Sequence, residues 1–313
     1  MGGARPRAPA RGPATHRWAT ARPRWRVLAL RSSTALSMST EVLDSHVDVP
    51  GGSIFARRWR LGHSDCPPII LLHDSLGSVE QWRAFPEALA EATTSDVIAY
   101  DRLGFGRSTR RTERPSVDFI REEALAFFPA MKRAFGITRF SLFGHSVGGA
   151  MALSIAALQS EGCEAVITEA AQAFVEPRTL SGIRAARTQF ADPEQFEKVA
   201  KWHGEKARWV LDAWTEVWLS PDFASWSLDE QLGKVRCPVL AIHGDLDEYG
   251  SVEFAHRITS KVNGPSEVAI LSGCGHVPHR ERRDEVLRLT GSLLARHAVT
   301  RFSDPRGAMM HGA

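Results

Sequence analysis

The sequence predicts an α/β fold, in which helices cover both faces of a mostly parallel central sheet. Two observations lead to this prediction. Short apolar runs such as residues 69–73 lack polar alternation, which is typical of strands buried on both faces. These runs alternate with amphipathic stretches of helical period over most of the chain. The strand signals vanish once, over residues 176–235, so we also expect a helical insertion.

Size and composition are those of a soluble globular protein. The 313 residues suffice for one large domain with an insertion, and the apolar fraction of 43% is ordinary. No run of about 18 apolar residues is present, so we expect no membrane contact. The cysteines form no CxxC pair, which fits free thiols in a reducing, cytoplasmic compartment. They are Cys66, Cys163, Cys237 and Cys274.

The net charge of +3 comes from the N-terminal segment. Residues 1–40 contain eight arginines and no acidic residue, which leaves 31 basic and 36 acidic residues, a balance of −5, in the remainder. A mildly acidic body argues against nucleic acid as a partner.

The segment of residues 1–40 has three interpretations. It is a transit peptide, a disordered basic tail, or an upstream extension of the reading frame with translation starting at Met38. We favour the extension because ordinary alternating sequence begins directly after Met38. The predicted core then comprises residues 41–175 and 236–300, and residues 301–313 form a flexible tail.

In chain order, the first elements are a hairpin, a strand, a helix and a strand. Residues 41–49 and 53–59 alternate in polarity around Pro50-Gly51-Gly52 and predict the hairpin. A buried strand follows at 69–73, a helix at 80–91 and another buried strand at 96–100. The turn after this strand, residues 101–108, lacks the lysine of a phosphate-binding loop and is interpreted as structural.

The second half continues the alternation. A long amphipathic helix covers 117–135 and ends at Gly136. Further strands are predicted at 140–143, 164–168, 238–243 and 267–271, and further helices at 251–262 and 284–297. The insertion at 176–235 is interpreted as a cap over the site. It holds five of the nine tryptophans, most of which we expect to pack within the cap while one or two line a pocket.

The pattern Gly144-x-Ser146-x-Gly148 lies between a predicted strand and a predicted small-residue helix. A serine in a strained turn needs neighbours without Cβ atoms, and the helix that follows directs its first N–H groups at the serine. This pattern therefore predicts a nucleophile elbow at Ser146.

Polar signals lie at the carboxyl ends of several predicted strands, where sites of parallel sheets are found. They are His73-Asp74-Ser75, Ser146, Asp247 and His276. The chain order Ser, Asp, His differs from that of chymotrypsin-like and subtilisin-like enzymes.

In combination, these motifs resemble those of the α/β-hydrolase superfamily over residues 41–297. The resemblance rests on residues 73–77, 101–108, 144–149, 243–247 and 273–276. Within the superfamily the sequence is similar to the capped small esterases, the haloperoxidase-like enzymes and the valacyclovir-hydrolase-like enzymes. It implies an α/β-hydrolase fold and a Ser-His-Asp triad.

The resemblance implies a role for each site residue. Ser146 is the nucleophile, His276 the general base and acid, and Asp247 the residue that orients His276, with Asp245 and then Glu248 as alternatives for the acid. The oxyanion hole would come from the backbone N–H groups of Val147 and of Ser75, or Leu76 in place of Ser75.

Two positions depart from the family pattern. The usual His-Gly of the oxyanion strand is His73-Asp74, which puts a carboxylate near the mouth of the site. The aspartate that binds the substrate amino group in valacyclovir-type enzymes is Val147 here, so a preference for α-amino esters is not supported.

The sequence therefore predicts a serine hydrolase that needs no cofactor or metal and cleaves a small ester, thioester or lactone. The alternatives are C–C bond hydrolysis, perhydrolysis or acyl transfer at the same triad, and a ligand-binding protein with a vestigial triad. The expected partner is a small acyl substrate, with neither nucleic acid nor membrane, and the oligomeric state is open. His73, His145 and His243 are interpreted as structural, and His279 and Arg280 as solvated or helix-starting, with contact to a substrate carboxylate as the alternative.

Overall fold

The structure is a computed structural model that describes residues 26–28, 40–62 and 64–302. The strands are β1 (Arg26–Leu28), β2 (Glu41–Val49), β3 (Gly52–Arg60), β4 (Ile69–Leu72), β5 (Val97–Tyr100), β6 (Phe140–His145), β7 (Cys163–Glu169), β8 (Val239–Gly244) and β9 (Ser266–Leu271). The helices are α1 (Phe85–Thr93), α2 (Phe119–Glu122), α3 (Phe128–Phe135), α4 (Val147–Leu158), α5 (Pro177–Gln189), α6 (Pro193–His203), α7 (Ala207–Trp218), α8 (Asp229–Leu232), α9 (Glu253–Lys261), α10 (Pro278–Glu281) and α11 (Arg283–Phe302).

Across these residues, the strands form one nine-stranded sheet in the order β1-β2-β3-β5-β4-β6-β7-β8-β9. The β1, β2, β3 and β5 neighbours pair antiparallel, and all pairs from β5 through β4 to β9 are parallel. The predicted α/β fold with a mostly parallel sheet is confirmed. The predicted hairpin is also confirmed, as β2 and β3.

The central strands are apolar throughout because both faces of the sheet are covered. Along β4, Ile70 and Leu72 belong to the core cluster on one face, whereas Ile69 and Leu71 belong to the cluster on the other. Successive side chains of a strand point to opposite faces, so a strand between two cores needs an apolar residue at every position. The small-residue helix α4 packs against β6 and β7.

The predicted helix over 80–91 is wrong as a single element. The chain instead forms a 3₁₀ turn at Val79–Trp82, breaks, and starts α1 at Phe85. Arg83, between the two, has a φ of 53°, and Pro86 lies in the first turn of α1. A helix cannot continue through a left-handed residue, and a proline is tolerated best in the first turn, where its missing N–H has no acceptor to bond.

The predicted helix over 117–135 is confirmed, with a local irregularity. Between α2 and α3 the segment Glu123–Phe127 has π-helical hydrogen bonding. Pro129 follows within the first turn of α3, and Gly136 ends the helix in the left-handed conformation at a φ of 64°. The π-helical turn places the buried Glu123 carboxylate against the Tyr100 hydroxyl, which donates to it at 2.6 Å.

Residues 176–235, here called the inserted segment, leave the sheet after β7 and return to it at β8. They contain α5, α6, α7 and α8, and a single bridge pair joins Phe174 to Ser227 at the base of the segment. The helical character predicted for this segment is confirmed, and its role as a cap stays a prediction.

The predicted N-terminal extension contains one described element. The strand β1 pairs antiparallel with β2, in a register that sets Val27 opposite Leu43. Residues 1–25 and 29–39 lie outside the described residues, as does the predicted tail from residue 303 onward. Within the described ranges, no helix combines the length and the apolarity that crossing a membrane requires.

Candidate active site

The nucleophile elbow lies where β6 passes into α4. Ser146 stands between them with a φ of 55° and a ψ of −125°, a strained conformation for a residue with a side chain. The neighbouring glycines are required by space. A Cβ atom at Gly144 would lie 2.3 Å from the Gly148 carbonyl oxygen, and one at Gly148 would lie 2.1 Å from the Leu72 carbonyl oxygen. The close approach of strand and helix therefore places Ser146 at the tip of a tight turn.

Three predicted site residues meet in one hydrogen-bonded chain. His276 Nε2 lies 3.1 Å from Ser146 Oγ, and His276 Nδ1 lies 2.9 Å from each carboxylate oxygen of Asp247. A carboxylate only accepts, so Nδ1 carries the proton and Nε2 presents its lone pair to the serine hydroxyl. This is the tautomer that a general base for Ser146 needs.

Of the three acids considered from sequence, Asp247 contacts His276. Asp245 instead accepts from the Gly273 N–H at 2.7 Å, and Glu248 is exposed. Burial alone would raise the pKa of Asp247, but its contacts with His243 and His276 hold that pKa well below its usual range. His243, interpreted from sequence as structural, lies 3.2 Å from Asp247 Oδ2 and so helps to orient the acid.

The predicted oxyanion donors lie on two elements next to Ser146. Val147 is the first residue of α4, so its N–H has no acceptor within the helix. Ser75 lies in the loop after β4 and lines the cavity above Ser146. The alternative, Leu76, uses its N–H to bond Asp74 Oδ1 at 2.7 Å, which favours Ser75. Both roles stay predictions.

Asp74, the residue that replaces the family glycine, faces His145 of the elbow. His145 Nδ1 lies 3.2 Å from Asp74 Oδ2, and His145 Nε2 lies 2.8 Å from the carbonyl oxygen of His276. Both ring nitrogens thus face oxygen acceptors, and His145 satisfies both as an imidazolium. It links the loop after β4 to the loop that carries His276.

The ionisation of this pair follows from its surroundings. Burial alone would lower the pKa of His145, but its contact with Asp74 and the charge of Glu169 raise it to about 9. Although burial opposes it, contact with His145 holds the pKa of Asp74 far below its usual range. The two residues therefore form an ion pair at neutral pH.

A buried cluster of His145, Glu169 and His279 offers ligand atoms within 4.8 Å of one another. Their hydrogen bonds to one another and to neighbouring oxygen atoms use the ring nitrogens and the carboxylate that a metal ion would need. Glu169 accepts from His279 Nδ1 and also from the His279 N–H, the latter at 3.0 Å. His145 has no ring lone pair to give a metal ion while both nitrogens donate. Burial lowers the pKa of His279, although the charge of Glu169 opposes this.

Gln172, which the sequence analysis did not single out, contacts the nucleophile. Its side-chain Nε2 lies 3.2 Å from Ser146 Oγ, and the residue is 5% exposed. The nucleophile oxygen therefore donates toward His276 and accepts from Gln172. Gln172 follows the carboxyl end of β7, and β7 neighbours β6 in the sheet. This position after a strand end is the sequence signal that could have identified Gln172 as a site residue.

Ser146 opens into a cavity of about 340 Å³. The inserted segment supplies part of the wall, with Trp214 and Trp218 among its five tryptophans, as predicted. Aromatic contacts connect this wall to the triad. The ring centroids of Trp214 and Tyr249 are 5.9 Å apart, and those of Tyr249 and His276 are 4.9 Å apart. The other lining residues are Asp74, Ser75, Leu76, Gln81, His145, Gln172, Thr179, Ile183, Phe190, Val277 and Arg280.

The inserted segment is joined to the core near the site. His203 Nδ1 accepts from the Gly106 N–H at 2.9 Å, and its Nε2 lies 2.9 Å from the Leu76 carbonyl oxygen. Lys206 donates to the Ser108 carbonyl at 2.6 Å. Near the start of the segment, Thr179 donates to the Tyr249 carbonyl at 2.7 Å. The turn at 101–108, which was predicted to be structural, thus forms hydrogen bonds with the corner between α6 and α7.

Comparison with known proteins finds one matching family model and distant relatives. The model, described as the alpha/beta hydrolase fold, matches residues 67–221. One relative is the dihydrolipoyllysine-residue acetyltransferase component of the acetoin cleaving system of Pseudomonas putida. It is 26% identical to this chain, and the match covers 79% of this chain and 68% of the relative. Proline iminopeptidase of Lactobacillus helveticus is 21% identical, and the match covers 75% of this chain and 92% of the relative.

A solved structure shares the fold. The carboxylesterase of Bacillus subtilis superposes with a TM-score of 0.62 at 19% identity, over 82% of this chain and 93% of its own. At 19% identity this similarity supports the fold alone, and the substrate has to be inferred from the residues of the site.

Proposed function

Because the chain belongs to the α/β-hydrolase superfamily and is an enzyme of the hydrolase type, we propose that it cleaves a small ester, thioester or lactone through an acyl-enzyme. The observation that carries this proposal is the Ser146–His276–Asp247 chain, with distances of 3.1 and 2.9 Å, at the floor of a cavity. We place the reaction in the cytoplasm, where a reducing environment suits thiols such as those of Cys66 and Cys274.

In the proposed reaction, Ser146 Oγ attacks the acyl carbon while its proton passes to His276 Nε2. Asp247 stabilises the resulting imidazolium, and the N–H groups of Val147 and Ser75 bind the developing oxyanion. His276 then gives its proton to the leaving group, which departs and leaves the acyl group on Ser146. Water attacks this acyl-enzyme in a second step with His276 again as the base.

Serine-directed labelling combined with turnover tests this proposal. The wild-type protein should react with a fluorophosphonate probe and hydrolyse 4-nitrophenyl butyrate, and Ser146→Ala should abolish both. Asp247→Asn should lower kcat by about 10³- to 10⁴-fold, because the wrong histidine tautomer results. Asp245→Asn is the matched control, since this carboxylate bonds a backbone N–H instead of His276.

Unchanged labelling of Ser146→Ala would overturn the assignment of the nucleophile. A larger loss in Asp245→Asn than in Asp247→Asn would overturn the assignment of the acid. A panel that adds thioesters, a lactone and proline 4-nitroanilide to the oxygen esters identifies the bond type that is cleaved.

A further inference from the structure

The cavity around Ser146 has walls of different chemistry. The wall contributed by the inserted segment is mainly apolar, with Ile183, Phe190, Trp214 and Trp218. Other lining residues come from the loop after β4 and the turn after His276, and these carry polar and charged groups. A ligand that fills this cavity therefore meets apolar surface on one part and charge on another.

Arg280 is the cation of this charged wall. Its Nη2 donates to the carbonyl oxygen of Gln81 at 2.7 Å. Within the described parts of the chain, no carboxylate oxygen lies within 4 Å of its guanidinium. A guanidinium has five N–H donors, so after the bond to Gln81 Arg280 keeps enough donors to bind a carboxylate in a bidentate manner.

The nearby carboxylate of Asp74 does not neutralise Arg280. Asp74 Oδ2 is 3.2 Å from His145 Nδ1, and the imidazolium of His145 balances the charge of Asp74. Asp74 and His145 together contribute no net charge to the cavity. Among the described residues that line the cavity, Arg280 is then a cation without a carboxylate oxygen within 4 Å.

A second arginine adds to the positive charge. Burial lowers the pKa of Arg280, the charge of Asp74 opposes this effect, and the charge of Arg83 reinforces it. Arg83 is exposed and lies in the break before α1, two residues after Gln81 along the chain. The Arg280 guanidinium is charged at neutral pH, as arginine side chains in proteins are.

We propose that Arg280 binds a carboxylate of the substrate, so that the preferred substrates of this site are acyl compounds carrying an anionic group as well as an apolar part. The inference rests on the proposed function and deepens it by naming the substrate class. The apolar part packs against Trp214 and Trp218, the scissile carbonyl lies at Ser146, and the carboxylate reaches Arg280.

Two matched ester pairs test this inference on the full-length protein. The first pair compares mono-4-nitrophenyl glutarate with its methyl ester, so the charge is on the acyl side. 4-Acetoxybenzoate against its methyl ester places it on the leaving group. The wild-type protein should prefer the anionic member of at least one pair in kcat/KM. Arg280→Gln should lower that preference about 10- to 100-fold, mainly through KM, because a charge-assisted hydrogen bond is lost. Arg280→Lys should restore part of it.

Arg282→Gln is the matched control, because Arg282 also donates to a backbone carbonyl, that of Ser272 at 2.8 Å, but does not line the cavity. It should keep the wild-type preference. Equal preference in Arg280→Gln and wild type, or a wild-type preference for the neutral ester in both pairs, would overturn the inference.

A binding measurement separates this inference from the proposed function. Mono-4-nitrophenyl glutarate is titrated calorimetrically into Ser146→Ala and into Ser146→Ala combined with Arg280→Gln. Weaker binding in the double variant by at least about tenfold supports the role of Arg280 even if no ester is hydrolysed. Equal binding in both variants contradicts it even if Ser146 proves to be the nucleophile.

Discussion

Replacing Asp74 by asparagine removes one partner of a buried ion pair and should destabilise the protein in a pH-dependent way. The His145 ring is 3% exposed and faces the Asp74 carboxylate at 3.2 Å. In the folded protein the pKa of His145 is about 9, against an ordinary value of 6.5. One pKa unit corresponds to about 1.4 kcal/mol, so proton binding by His145 contributes about 3 kcal/mol to the free energy of unfolding.

The direction of the pH dependence follows from the raised pKa. The folded state holds this proton more tightly than the unfolded state does, so the contribution is fully present below pH 6.5 and is lost as the pH rises through 9. Between these values it declines by about 1.4 kcal/mol per pH unit. The charge of Glu169 also raises the pKa of His145 and remains in the variant, so Asp74→Asn should be less stable than wild type by up to about 3 kcal/mol at pH 6. At pH 10 the difference should be less than about 1 kcal/mol.

Urea unfolding followed by tryptophan fluorescence, at pH values from 6 to 10, measures the difference. The other groups around His145 are common to both proteins, so the difference isolates the pair. Asp245→Asn provides the control, because its carboxylate bonds the Gly273 N–H and no histidine. Its stability difference should not vary over this range. A difference for Asp74→Asn that stays constant with pH would refute the ion pair.

Two further changes probe the elbow. Gln172→Ala removes the amide that lies 3.2 Å from Ser146 Oγ, and we expect kcat/KM for 4-nitrophenyl butyrate to fall about tenfold, the value of one hydrogen bond of roughly 1.4 kcal/mol; an unchanged kcat/KM would show that Gln172 does not orient the serine. Gly148→Ala places a Cβ atom 2.1 Å from the Leu72 carbonyl oxygen and should lower the free energy of unfolding by more than about 3 kcal/mol. Gly62→Ala, where a Cβ meets nothing within 4 Å, should be near neutral, and equal effects of the two alanines in chemical denaturation would contradict the steric argument.

The features that could be read from sequence are those with local signals. The central strands were predictable because burial on both faces requires continuous apolar runs, as in β4. The elbow at Ser146 was predictable because its glycines are required by contacts a few residues away. Asp247 and His276 could be proposed because both follow strand ends on the same edge of the sheet. Their joint contact with Ser146 was only an expectation until the sheet order was known.

What sequence did not reveal depends on contacts between distant segments. The contact between Asp74 and His145 joins the loop after β4 to the last residue of β6, 71 positions later. Neither local sequence predicts this contact. Gln172 is one polar residue in a small apolar stretch, and its direction depends on how the chain bends after β7. The break at Arg83 results from a backbone conformation for which arginine carries no sequence signal.

The hydrogen bonds that join the inserted segment to the core have a consequence for the kinetics of substrate uptake. The α6–α7 corner is fixed to the turn at 101–108 by Lys206 and to the loop after β4 by His203, and α5 is fixed by Thr179. A segment held near its start and at its middle resists swinging open as a hinged lid. We therefore expect substrate to enter without a prior opening of the inserted segment. The observed rate of the first chemical step should then rise with substrate concentration, with no slow preceding isomerisation.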